Sequence, residues 1–282
     1  MSAPQIAKDI ESLEAHLRAE FARGDVDVPL LPDVAANVLS SAVDEHSDAV
    51  KMAQLIEQDQ SLASHILRIV NSPVFRGSAD IVSLQQAVAR LGMERLREIA
   101  MTVSIKGALV VPQQFAEPVE MAWRTGLRTG LWAKEVARSA RKNVETAYLC
   151  GLLHNVGVAV VVNQICAVND TLDRELMEQL IDRLHPSAGS LLIQKWNLPE
   201  VVGLCIENLD QPAVEGLSIP QEDALRVLQV SCSLAALTET EAPELETLFE
   251  LDCVAHLNLY PDDLQQLYTH AEAISETLRG MQ

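Results

Sequence analysis

The sequence predicts an all-α fold of many helices, and three observations carry the prediction. Apolar residues recur at spacings of three and four over most of the chain, the mark of amphipathic helices. Leu, Ala, Glu and Gln are plentiful while aromatic residues make up only 4%, a balance that favours helix. Long alternating patterns that would signal strands are absent. At 282 residues, 48% of them apolar and 22% charged, the chain can bury a substantial core.

Each helix has its own signal. Ile6, Ile10, Leu13, Leu17 and Phe21 follow at spacings of four, three, four and four, and Gly24 ends that face. After Pro29-Leu30-Leu31-Pro32, two stretches read as helix, one through Val34, Val38 and Leu39 and one through Val50, Ala53, Leu55 and Ile56. Asp59 stands at an N-cap before Leu62, Ile66, Ile69 and Val70, and Pro73 stops that helix by lacking the N–H it would need. Ser83-Leu84-Gln85-Gln86 has the form of a capping box, Gly92 closes its short helix, and another begins near Met93. Trp123, Leu127, Leu131 and Val136 mark a longer helix that also carries Arg124, Arg128, Lys134, Arg138, Arg141 and Lys142, the one concentrated basic stretch. Tyr148 to Gly157 is apolar on nearly every side and reads as a buried helix. Pro261-Asp262-Asp263 opens a last helix, where proline's fixed φ and two carboxylates suit the positive end of the dipole, and Leu264, Leu267, Tyr268, Ala271, Ile274 and Leu278 continue it.

Charge excludes some partners. Forty acidic against 21 basic residues give −19, and −14 of that lies between Pro199 and Gln282, where only Arg226 and Arg279 are basic. Such a balance opposes binding to nucleic acid or to an anionic membrane. The turn around Ala87, Leu91 and Gly92 has the outline of a DNA-binding helix-turn-helix, but its Ala-to-Gly spacing is one residue too long, and the acidic balance argues against it too. The longest uncharged apolar run, Val156 to Val162, is short for a membrane span, and no basic start precedes an apolar stretch. Five cysteines without a CxxC pair suit free thiols, so the sequence reads as cytoplasmic.

Three stretches together resemble the HDOD domain, the HD-related output domain of bacterial signalling proteins. Asp59 to Pro73, preceded by Leu31-Pro32, is similar to the family's DPxLxxxLLxxxNS segment, with Gln60 where proline is usual. Ile81 to Gly92 resembles IxSLxxAIxxLG. Cys150 to Gly157, with His185-Pro186-Ser187-Ala188-Gly189 and Trp196-Asn197-Leu198-Pro199, resembles the GLLHDIG and HxxxGxxLLxxWxLP runs. The resemblance implies a multi-helix HD-like bundle over residues 21–215, preceded by an amphipathic helix over 1–20 and followed by an acidic helical extension, 216–282, packing on it.

HD-type hydrolases hold metal with a first histidine, a His-Asp dyad and further histidines downstream; neutral imidazoles and a carboxylate together fix the cation that activates a water. At the matched positions this chain has Thr125 after Trp123-Arg124, then His154-Asn155, then His185, then Asn208-Leu209. An amide oxygen is neutral and does not bridge ions as a carboxylate does. The pocket Thr125, His154, Asn155, His185 and Asn208 is therefore expected to hold no metal and to have no catalytic residue, and no cofactor is expected. His154 and His185 are then structural, the latter standing before Pro186 at a helix start. Cys150 and His154, four apart, with Cys205 downstream could form a zinc site, although cysteine at helical spacing is more often a small core residue. Arg124 and Arg128, four apart beside the lost ligand, are the candidate anion-binding pair, against the plainer reading of a solvated face. Asn71, Ser72 and Pro73 read as a helix end. Glu239 to Asp252, with Pro243, has the composition of a solvated segment or a docking surface for a basic partner.

The expected function is that of a non-catalytic signal-transduction module acting through an unknown protein partner or a small anionic ligand, with no nucleic acid and no membrane. The alternative is a residual metal-dependent phosphohydrolase acting on a nucleotide or phosphate ester.

Overall fold

Caps written into the sequence set several of the helix boundaries. The computed structural model describes residues 3–24, 26–40, 53–75, 80–168, 172–240 and 244–281; Val50 and Pro243 lie outside these, as do the side chains of Ile6, Val38 and Leu39. The chain is all-α, and no strand occurs among the described residues. In order the helices are α1 (Ala3–Arg23), α2 (Asp33–Ser40), α3 (53–58), α4 (Gln60–Val70), α5 (Leu84–Leu91), α6 (Met93–Ala108), α7 (Ala116–Ser139), α8 (Val144–Leu153), α9 (Gly157–Val168), α10 (Arg174–Lys195), α11 (Glu200–Asn208), α12 (Ile219–Leu237), α13 (Asp252–His256), α14 (Pro261–Tyr268) and α15 (Ala271–Gly280).

The chain divides into two units, one of residues 1–28 and 111–274, the other of residues 29–110 and 275–282. In the second unit α6 is packed by α2, α4 and α5. Asp59 caps α4 by accepting from the Leu62 N–H at 3.0 Å. Asn71 ends the same helix and ties the chain back on itself: its amide donates to the Leu67 and Ile81 carbonyls at 2.9 and 2.7 Å, and its oxygen accepts from Ile81 N–H at 2.8 Å. The predicted capping box at Ser83 is half formed. Ser83 Oγ accepts from Gln86 N–H, but the Gln86 side chain accepts from Val82 N–H at 2.8 Å instead of from Ser83, one residue beyond its box position. Gly92, at φ +81°, both ends α5 and starts α6, a left-handed turn that a side chain would strain.

In the first unit α7 lies along α8 and α12, α9 packs on α10, and α10 on α11. The α12 helix of the acidic C-terminal third thus sits against α7. Trp132 of α7, fully buried, stacks on Tyr268 of α14 with 6.2 Å between ring centroids and 14° between planes. The apolar stretch Val144–Val168 is long and apolar enough by composition to cross a membrane, but it is broken into α8 and α9, and 78% of its most apolar window is buried within the fold.

Three expectations change. The helix read through Gly157 stops at Leu153, and His154 to Val156 form a turn before α9. The last helix breaks at Thr269-His270 into α14 and α15. Pro186 stands inside α10 rather than at a helix start, so His185 is a mid-helix residue. Proline there removes one backbone bond and crowds the carbonyl four residues before it, and packing of α10 on α9 and α11 holds the helix through it.

Candidate functional site

Glycines bring the pocket residues together. Gly126 and Gly130, one turn apart on α7, meet α8 backbone to backbone: a methyl on Gly126 would lie 2.5 Å from the Leu152 carbonyl oxygen, and one on Gly151 would lie 2.6 Å from Gly130 Cα. The turn after α8 then delivers Gly157 against α10, where a methyl would strike the His185 carbonyl and lie 2.5 Å from Gly189 N. These two close approaches fix His154 at the end of α8 beside His185 of α10, near enough for the charge of His185 to bear on the His154 ring.

His154 is 4% exposed. Its Nδ1 donates to the Gly151 carbonyl at 2.7 Å, which leaves the lone pair on Nε2. Burial drives its pKa down to about 4, opposed by the Gly151 bond, so the ring is neutral above that pH. Burial also lowers the His185 pKa, against the upward pull of Asp182 and Asp210, and its Nδ1 is buried with no hydrogen-bond partner among the described residues. Asn155 is half-buried in the turn, Thr125 is half-buried on α7, and Asn208 spends its amide on the Leu204 carbonyl at 2.8 Å.

Three further residues join this neighbourhood that sequence reading missed. Asp210, just past α11, faces both His185 and Cys232 of α12. Cys232 lies near Thr129, and burial pushes its thiol up to about 12. Only the position of Asp210, two residues past Asn208, could have hinted at this; the contacts of α12 are too remote in sequence to read.

An HD-type metal centre does not fit these residues. Two imidazoles, two amides and a hydroxyl supply no carboxylate at the matched positions, and among the described residues no three His, Cys, Asp or Glu side chains converge to hold an ion. The alternative zinc set fares no better. Cys150 and Cys205 do meet, both fully buried, but their contact, with burial, raises the Cys150 pKa well above the usual thiol range and keeps it protonated. Of the two candidate anion-binding arginines, Arg124 is exposed; Arg128, with its side chain 10% exposed, is ion-paired at 2.5 Å to Glu239 just beyond α12. Three more of the basic stretch are also engaged: Lys134 lies over the Tyr148 ring, Arg138 pairs with Glu135 and Lys142 with Asp223.

Comparison with known proteins places this geometry in a family. The model of the HDOD domain matches residues 28–212. An uncharacterized protein of Treponema pallidum (strain Nichols) is 27% identical over 206 residues, 69% of this chain and 40% of that protein, so the chain spans well under half the length of the curated relative. Among solved structures, one from Shewanella amazonensis SB2B, provisionally named a metal-dependent phosphohydrolase, aligns over 98% of this chain and 100% of its own at TM-score 0.72 and 18% identity. An HDOD domain protein of unknown function from Geobacter sulfurreducens aligns over 98% of both chains at TM-score 0.66 and 18% identity. A protein from Marinobacter aquaeolei VT8, provisionally named for signal transduction, aligns over 90% of this chain and 60% of its own at TM-score 0.58 and 23% identity. These likenesses establish the fold.

Proposed function

The chain belongs to the HDOD domain family, and we propose that it is a non-catalytic regulatory module of bacterial signal transduction, acting by binding a protein partner or a small anionic ligand. The donor set carries the reading: where a hydrolase would gather histidines and a carboxylate, this chain offers Thr125, Asn155 and Asn208 beside His154 and His185. An amide at Asn155 in place of a carboxylate removes charge with little change of shape, so the pocket keeps its frame while losing its chemistry. Five free thiols and the acidic balance suit a cytoplasmic protein that avoids nucleic acid and membrane. Any anion recruited to Arg128 has to displace Glu239.

The second reading, a metal-dependent phosphohydrolase acting on a nucleotide or phosphate ester, is favoured by one observation. The bond from His154 Nδ1 to Gly151 orients the ring as a metal-binding histidine is oriented, with Nε2 bearing the lone pair. Elemental analysis of the purified protein, with turnover assays on phosphodiester and nucleotide substrates, separates the two. The regulatory reading expects neither stoichiometric transition metal nor turnover; both together, with turnover lost in His154→Ala, would overturn it. A pull-down from the native cytosol then identifies the partner.

A further inference from the structure

Much of the positive charge on this acidic chain is neutralised in place: Arg18 by Glu14, Arg128 by Glu239, Lys142 by Asp223, Arg174 by Glu117. The face shared by α4 and α6 differs. His65 and Arg68 lie one turn apart on α4, and Lys106 stands in the last turn of α6, which packs on α4. The charges of Arg68 and Lys106 both bear on the His65 ring and, after burial, hold its pKa down, so the three groups repel one another. None of the three has an ion pair among the described residues, in a chain that carries 40 carboxylates. Ser61 and Ser64, both exposed, fall on the same α4 face as His65 and Arg68 at helical spacing. A cation at each helix end is accounted for by the helix dipole. That does not account for His65, nor for the lack of a paired carboxylate at any of the three among the described residues.

We propose that this α4–α6 face binds the phosphate group of a small phosphorylated ligand. The chemistry matches part by part: Arg68 offers a planar fork for two phosphate oxygens, Lys106 a compact charge, and the serine hydroxyls neutral donors. The placement matches too: His65 and Arg68 share one turn of α4, and Lys106 comes from the helix packed on it, whereas an extended acidic peptide needs a longer stripe of charge. The site is separate from the α7–α8 pocket and does not depend on how that pocket works.

The test is a titration of the full chain, followed by calorimetry and by amide NMR shifts, with inorganic phosphate and with adenosine monophosphate. Saturable binding is expected, with shifts on α4 and α6. Arg68→Gln and Lys106→Gln each weaken it about tenfold, the loss of one charge-assisted contact, while Lys195→Gln, at an exposed site on α10, leaves it unchanged. Tighter binding of the nucleotide than of phosphate identifies a nucleotide ligand; equal binding identifies the phosphate group alone. All the variants lie at exposed or half-buried helix positions and are checked by circular dichroism. Absence of saturable binding, binding insensitive to both α4–α6 substitutions, equal loss in Lys195→Gln, or binding of hexaglutamate in place of phosphate would each overturn the proposal.

Discussion

Along α7, Gly126 and Gly130 meet α8 backbone to backbone, whereas Thr129 and Arg128, their immediate neighbours, meet the side chains of Cys232 and Glu239. The first kind of contact has no rotamer with which to escape, so any added atom moves a helix. The second kind tolerates exchange, because a side chain can be replaced by another of similar size or by solvent. A fold whose frame rests on glycines and whose pocket rests on side chains can lose metal ligands one by one without losing its shape. The pocket of this chain, with Thr125, Asn155 and Asn208 at ligand positions, has that character.

The largest effect is therefore expected in the frame. Gly151→Ala puts a methyl 2.6 Å from Gly130 Cα and 2.8 Å from the Thr129 carbonyl, against backbone on both counts. A loss of about 3 kcal/mol is expected from such overpacking, read as a lowered denaturation midpoint with an unchanged slope. Thr125→Ala, beside the same crossing, should move the midpoint far less. Similar losses for the two variants would break the distinction.

A pH titration of stability sharpens it from the pocket side. His154 has a folded pKa of about 4, below the ordinary value of 6.5. At pH 7 both states are neutral and the group contributes nothing adverse. As pH falls below 6.5 the unfolded chain takes up a proton that the folded chain refuses, so stability drops until pH 4, where both are protonated and the slope ends. The shift corresponds to about 3 kcal/mol over that window. His185, shifted in the same direction, adds to the fall. Chemical denaturation at pH 7, 5.5 and 4 should show it, and His154→Gln should flatten the curve; an unchanged slope in that variant would place the acid sensitivity elsewhere.

The local signals were legible in advance, and the long-range ones were not. Asp59, Ser83 and Gly92 mark helix ends by their own chemistry, and the structure places each at a helix end. Leu153 to Gly157 looked continuous with a buried helix because apolar residues run up to it and on beyond it, and close packing of Gly157 on α10 accompanies the break. Pro186 misled in the opposite sense: its rule is local, and α9 and α11 outweigh it. The ligand positions could be found by motif, yet Asp210 and Glu239 could not, since they reach the neighbourhood through α11 and α12 with no motif of their own.

A smaller effect is expected at the start of α8. Asn143 caps it by accepting from Thr146 N–H at 2.9 Å, at a position whose side chain faces solvent. Asn143→Ala should cost about 1 kcal/mol, read from thermal unfolding. That is less than the glycine substitution in the same helix, because water can replace a cap, whereas nothing relieves a methyl set against backbone.

The smallest effect is the most informative about the pocket. Arg128 is nine-tenths buried along its side chain, but Glu239, its partner, is 58% exposed. Two opposing rules apply: an arginine stripped of its counter-charge inside a protein is costly, whereas a pair with one partner in water is worth little. Exposure of the carboxylate decides between them, since solvent already shares in neutralising the guanidinium. A double-mutant cycle of Arg128→Met and Glu239→Gln should give a coupling below about 1 kcal/mol, falling further in high salt. A coupling of several kcal/mol would mean that the pair is a desolvated clasp, and Arg128 could not then exchange the Glu239 carboxylate for the anion of a ligand.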